Sequence, residues 1–161
     1  MTLRPYSDND LAAVLRLNEA SVEVLSPLDA GRLRLLLSLC EMALIAEIKA
    51  GVVGFMLVFA ERSSYDGEAY RWFDDNYDNF LYVDRIIIDE SVRGQGLARS
   101  FYEQLIDEAH QQNKSCLLAE IDIEPPNEAS LKFHQQFGFV EVDRLTYAKG
   151  KQVSQQCLIL A

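Results

Sequence analysis

Basic residues are scarce in this chain: fifteen lysines and arginines against twenty-five acids leave a formal net charge of −10. A nucleic-acid binder must neutralise phosphates with a basic surface, so no nucleic-acid partner is expected. Long apolar runs are missing as well. None reaches the roughly 18 residues of a candidate membrane span, so no membrane association is expected. The opening MTLRPYSDND lacks the basic-then-apolar pattern of a secretory leader. Cysteine is limited to Cys40, Cys116 and Cys157, an odd number, widely separated and each in an apolar setting. That argues against a disulfide framework or a zinc site: no metal is expected, the cysteines read as small buried hydrophobes, and the expected location is a reducing cytoplasm. Repeats, low-complexity tracts and domain linkers are absent.

What the chain does have is core-forming material. With 161 residues, 49% of them hydrophobic, it suits one domain spanning residues 1–161. Its acid excess serves solubility and also suits a cationic substrate. In order, Leu3 to Tyr6 reads as a short strand and Ser7 with Asp10 as a capped helix start. Leu11, Val14, Leu15 and Val22 form the apolar face of the helix that follows, with Asn18 on the same face as either a cleft residue or a hydrogen-bonded core residue. A second helix carries Leu33, Leu36, Leu37 and Cys40. Ala43 to Ile48 and Val52 to Phe59 pair as a hairpin across Lys49-Ala50-Gly51. Ala60 to Asn79 is read as one long irregular stretch, polar but holding Tyr65, Tyr70, Trp72, Phe73 and Tyr77: either a lid over an acceptor or an aromatic plug on the core edge.

The centre of the sequence is LYVDRIIIDESVRGQGLA, Leu81 to Ala98. Its first half is strand-like, with β-branched and aromatic residues ahead of a polar boundary. Its second half, Arg93-Gly94-Gln95-Gly96-Leu97-Ala98, turns into a helix whose Leu97, Phe101, Leu105 and Ala109 recur every fourth residue. A strand, a glycine turn and a helix N-terminus together suit an anion, because the first helical N–H groups lack partners and glycine admits a phosphate to the main chain. The Lys-Ser/Thr pair of a Walker loop is missing, and the glycine spacing is not that of the dinucleotide fingerprint. Ser115 to Ile123 is then a strand ended by Pro125-Pro126, and Asn127 to Phe137 a helix with Leu131 or Phe133 and Phe137 inward, stopped by Gly138. Two strands, Val140 to Tyr147 and Val153 to Leu160, close the chain around Lys149-Gly150-Lys151.

Arg-x-x-Gly-x-Ala after a strand resembles the acetyl-CoA pyrophosphate loop of the GNAT N-acetyltransferase superfamily. Downstream, Asn127-Glu128-Ala129-Ser130-Leu131-Lys132-Phe133-His134-Gln135-Gln136-Phe137-Gly138-Phe139 is similar to that superfamily's second signature, here in a PPN-x-x-S-x-x-FH-x-x-x-GF form resembling a group of bacterial acetyltransferases. The resemblance covers nearly the whole chain. It implies an α/β fold: a mixed, mostly antiparallel sheet of about seven strands, flanked by four helices on both faces.

The resemblance also implies roles. Arg93, Gly94, Gln95, Gly96, Leu97 and Ala98 would hold the CoA pyrophosphate, with Arg93 either a ligand or a brace for the loop. The main chain of Ile86 and Ile88 would pair with pantetheine as an added strand. An N–H near Ile86 or Ile87 would steady the oxyanion. Asn127 would bond pantetheine or else cap its helix. Asp84 stands where relatives carry a base, with an ion pair to Arg85 as the plainer role. Glu120 and Asp122, on one face by strand parity, compete with it. His134 replaces the usual tyrosine acid and would either protonate the leaving thiolate or contact the cofactor.

The expected activity is therefore acetyl-CoA-dependent N-acetylation of a primary amine on a small molecule by direct attack on the thioester. Acetyl-CoA would be the co-substrate and a homodimer is left open. Acetylation of a protein or peptide amine, and a non-catalytic CoA-binding regulatory module, are the alternatives.

Overall fold

The computed structural model describes residues 1–21, 25–147 and 150–161. Val22 and Lys149, used above for a helix face and a turn, lie outside the described residues. Seven strands form one sheet: β1 (Thr2–Pro5), β2 (Met42–Ile48), β3 (Gly51–Ala60), β4 (Phe80–Ile88), β5 (Cys116–Glu124), β6 (Val140–Thr146) and β7 (Gln152–Ile159). Their spatial order is β1-β2-β3-β4-β5-β7-β6. Every neighbouring pair is antiparallel except β4 with β5. That one parallel pair follows from a helical crossover, which antiparallel hairpins do not need.

Among the described residues five α-helices cover the sheet, one more than the four expected: α1 (Leu11–Glu19), α2 (Ala30–Leu39), α3 (Glu68–Asn76), α4 (Leu97–Gln111) and α5 (Glu128–Phe137). The sheet separates two apolar clusters. Val14, Leu33 and Leu36 meet Phe55, Phe59 and Tyr82 on one face. Phe101, Tyr102 and Leu105 meet Met56, Val83 and Ala119 on the other. α4 shows why its sequence is helical: Leu97, Phe101, Leu105 and Ala109 are all buried, so one stripe docks on the sheet. Each buried Leu or Phe contributes about 1.5–3 kcal/mol of burial free energy.

α3 corrects the expectation of an irregular Ala60 to Asn79. Tyr70 and Phe73, three apart, are fully buried, and Tyr77 packs partly against the same cluster. Tyr65 stacks on Phe59 with ring centroids 4.1 Å apart. The aromatics are thus the plug of the core edge rather than a lid. Asn18 is likewise a core residue, fully buried, with its Nδ2 donating to the Ser26 carbonyl at 3.0 Å. Cys116 and Cys157 are buried and Cys40 is partly so, all as free thiols. Among the described residues no helix is long and apolar enough to cross a membrane.

Candidate functional site

The pairing of β4 with β5 runs from Phe80 opposite Cys116 to Val83 opposite Ala119 and stops there. Asp84 to Ile88 and Glu120 to Glu124 therefore diverge, and the facing edge of β4 is left without a strand partner. A bulge sits at the point of divergence. Leu57 pairs with Arg85 and Val58 with Val83, so Asp84 is the extra residue of β4. A bulge bends its strand and redirects side chains: Asp84 and Arg85 both turn to the α1 side, where Tyr65 and Asn18 meet them.

Ladder parity tells which main-chain groups face the open edge. Asp89 N–H donates to the Val53 carbonyl at 2.8 Å, and the register places Ile87 opposite Phe55. Hydrogen-bonded pairs alternate in an antiparallel ladder, so Ile87 turns its main chain to β3 while Ile86 and Ile88 turn theirs to the gap. This corrects the expectation that Ile87 offers a main-chain contact there. Ile87 instead packs its side chain in the core, 3% exposed.

Beyond β4, Arg93 to Gly96 form an exposed loop and Gly96 begins α4. Gly94 and Gly96 have φ of 78° and 85°, which an L side chain rarely adopts, and a Cβ at either would meet nothing within 4 Å. The glycines therefore serve backbone shape with open space in front, the form of an anion nest at a helix N-terminus. Leu97 is buried under the helix and Ala98 half-buried; Gln95 is exposed. Arg93 braces the loop, its Nε donating to the Ile88 carbonyl at 3.2 Å.

On the α1 face of the divergence lies an acidic group. Asp84 accepts from the Tyr65 hydroxyl at 2.8 Å and lies 3.3 Å from Arg85 Nε, with the two side chains 8% and 6% exposed. Burial pushes the Asp84 carboxyl up, against the pull of the adjacent guanidinium. Arg85 is anchored further by Nη1, at 2.9 Å from Asn18 Oδ1 and 2.7 Å from the Ser26 carbonyl. Across the gap, Glu120 accepts from the Tyr147 hydroxyl. Burial raises its carboxyl to about 7; Tyr147 and Lys151 oppose the rise, while the charges of Asp122 and Asp84 add to it. Asp122 is paired with Lys151 at 3.2 Å.

On the opposite face, His134 is 2% exposed. Its Nδ1 lies 2.7 Å from the Ser130 carbonyl, which can only accept, so Nδ1 carries the proton. Its Nε2 lies 2.7 Å from the Tyr102 hydroxyl and accepts from it in the neutral ring. Burial holds the imidazole below its ordinary pKa. Both nitrogens are committed within the protein and burial disfavours the charged ring, which weighs against an imidazolium acid at His134. His134 also takes the inward position of α5, whereas Leu131, Phe133 and Phe137 are only partly covered. Asn127 caps α5, its Oδ1 accepting from Ser130 N–H at 3.3 Å, so only its amide nitrogen remains for another partner.

Sequence reasoning named Tyr65 only among the aromatics of the Ala60 to Asn79 stretch and did not single out Tyr102, Tyr147 or Gln155. Gln155 is fully buried opposite Glu120, with neither carboxamide atom hydrogen-bonded. The run Val153-Ser154-Gln155-Gln156-Cys157 has no alternation that would mark Gln155 as buried. The tyrosine partners depend on contacts between distant segments that spacing does not show.

The acetyltransferase (GNAT) family profile matches residues 16–139. The L-amino acid N-acyltransferase MnaT of Escherichia coli (strain K12) is 36% identical over 90 residues, which are 56% of this chain and 45% of that protein. The match thus spans less than half the length of that relative. Among solved structures, the ribosomal-protein-alanine N-acetyltransferase of Brucella melitensis superposes with a TM-score of 0.76 at 22% identity, covering 99% of this chain and 100% of that one. The Salmonella typhimurium protein yncA, solved with its cofactor acetyl-CoA, superposes at 0.74 and 21% identity, covering 100% and 94%.

Proposed function

We propose that this chain, which belongs to the acetyltransferase (GNAT) family, moves an acetyl group from acetyl-CoA to the primary amine of a small molecule. Family membership makes it an acyltransferase. The observation that carries the finer reading is the end of β4–β5 pairing at Val83 and Ala119, between an open glycine nest and a buried acidic face. A slot there accepts an extended thioester from one side and an amine from the other.

The chain's residues suit acetyl-CoA as a co-substrate. The Gly94 to Ala98 main chain would take the pyrophosphate, with Arg93 holding the loop in shape. Ile86 and Ile88 would offer their main chain to the pantetheine amides, and Ile86 N–H, nearest the bulge, would stabilise negative charge on the acetyl oxygen. The Asn127 amide nitrogen would donate to the same arm. An ammonium entering between Asp84 and Glu120 gives one proton to a carboxylate. The amine nitrogen then bonds to the acetyl carbon as the carbon–sulfur bond breaks; a second nitrogen proton balances the thiolate as CoA thiol. A carboxyl titrating near 7 is well matched to that first step at neutral pH.

His134 is a positioning residue in this scheme. It fixes the Tyr102 hydroxyl and the aromatic floor beneath the slot, and a thiolate of ordinary pKa can leave without an imidazolium acid. The relative named for L-amino acids supports a small acceptor. The test is thiol release from acetyl-CoA across a library of primary amines, with product mass measured. Acetylated amine should appear only with acetyl-CoA present. Acetyl-CoA binding with no turnover on any amine or peptide would leave the CoA-binding regulatory module instead.

A further inference from the structure

Gln155 is the buried polar group left without a purpose by the scheme above. It is fully buried, and both its Nε2 and Oε1 lack hydrogen-bond partners. It stands directly opposite Glu120 in the β5–β7 ladder. Directly opposed residues project to the same face, so its carboxamide lies beside the Glu120 carboxyl and on the side of Asp84. Buried carboxamides are rarely left unpaired, and this one has a donor and an acceptor side by side.

The charges around it restrict what could pair with it. Asp84, Glu120 and Asp122 share the face, and two of the three are held in ion pairs. Arg85 is paired with Asp84, Lys151 with Asp122, and Arg32 with Asp66. Among the described residues, those pairs leave Glu120 as the one acid of the three outside an ion pair, so a carboxylate on the acceptor would meet its uncompensated charge. An amide meets none of that repulsion. Its N–H and C=O complement the Oε1 and Nε2 of Gln155, a pairing that a carboxylate, having no donor, cannot complete.

Building on the acetyltransferase function, we infer that the acceptor is a primary amine flanked by an uncharged amide rather than a carboxylate. Its ammonium lies between Glu120 and Asp84, and its amide pairs with Gln155. Amino-acid amides and related α-amino carboxamides form the class. This separates the chain from free amino acids, the acceptor in the name of the Escherichia coli relative.

The test compares L-leucinamide, L-leucine and 3-methylbutylamine on the full chain at saturating acetyl-CoA, by thiol release and product mass. Leucinamide should exceed leucine in kcat/KM by at least about 10-fold, since a site with unpaired buried polar groups discriminates strongly against a substrate that cannot pair them. Gln155→Met should shrink the advantage of leucinamide over 3-methylbutylamine while acetyl-CoA affinity stays unchanged. Gln155→Leu serves if the methionine variant does not fold. Leucine matching or beating leucinamide, or an unaltered amide advantage in the Gln155 variants, would overturn the inference and leave the acetyltransferase function standing. Failure to bind acetyl-CoA, or no transfer to any of a full amine library, would overturn both.

Discussion

Glu120→Gln should make the protein more stable and less active, and the size of the gain is set by pH. Glu120 is moved from 4.5 to about 7 by burial, which Tyr147 and Lys151 only partly offset. A change of that size is worth about 3 kcal/mol, at roughly 1.4 kcal/mol per tenfold change in proton affinity. Because the folded pKa is raised, the folded state binds more protons than the unfolded one between the two values. Glu120's contribution is intact below about 4.5 and is lost as pH climbs through about 7. Glutamine keeps the size, and its oxygen can still accept from Tyr147, but it never ionises. At pH 8 the variant should therefore exceed wild type by about 2–3 kcal/mol, or roughly 5–10 °C in Tm for a chain of this size. At pH 5 most of that gap should vanish. Thermal unfolding by circular dichroism at the two pH values, without ligands, reads it directly. A gap independent of pH, or a variant less stable at pH 8, would refute the reasoning. A group that burdens the fold when charged and then abolishes turnover when neutralised is one retained for chemistry.

Three further outcomes follow from the same geometry. Asp84→Asn strips Arg85 of its counter-ion in a nearly closed site and should cost about 3–5 kcal/mol in urea unfolding, part of which Arg85→Met should restore in the double variant; where the single variant is folded, acetylation should suffer most at low pH, where neutral amine is scarcest. Tyr102→Phe leaves His134 Nε2 without its donor and should cost about 1–3 kcal/mol. Since the imidazole is held below its ordinary 6.5, its contribution to wild-type stability should be full above that value and fall as pH drops through the lower folded value, seen as a falling urea midpoint. Gly54→Ala should destabilise by about 1–3 kcal/mol, because a Cβ there would stand 3.0 Å from the Phe101 ring, 3.2 Å from Ala46 Cβ and 3.3 Å from the Ile87 carbonyl. Differential scanning calorimetry would register it.

The elements with strong periodicity were legible. The stripe from Leu97 to Ala109, the hairpin around Gly51 and the glycine turn at Gly94 and Gly96 all follow from spacing and backbone preference, while the mixed sheet of about seven strands was what the resemblance to the GNAT superfamily implied. α3 was missed because its six polar or small residues obscure the Tyr70–Phe73–Tyr77 spacing, which is helical once the other residues are set aside. In the site, the carboxylates Asp84 and Glu120 were visible as residues on neighbouring strands. Their environments were not, because burial and the Tyr65, Tyr147 and Arg85 partners arise from segments distant in sequence. His134 illustrates the limit most clearly. A motif names the residue, but only packing reveals that Ser130 and Tyr102 occupy both nitrogens.

The most direct test of the central account is a calorimetric titration of acetyl-CoA into the wild-type chain and into Gly96→Glu. Gly96 has open space before it and a left-handed backbone, so a glutamate there adds strain of about 1–2 kcal/mol and places a negative charge where the pyrophosphate would sit. Circular dichroism verifies that the variant is folded. The account predicts saturable binding to wild type without added metal and none to Gly96→Glu. Equal heats and affinities for the two proteins would contradict it.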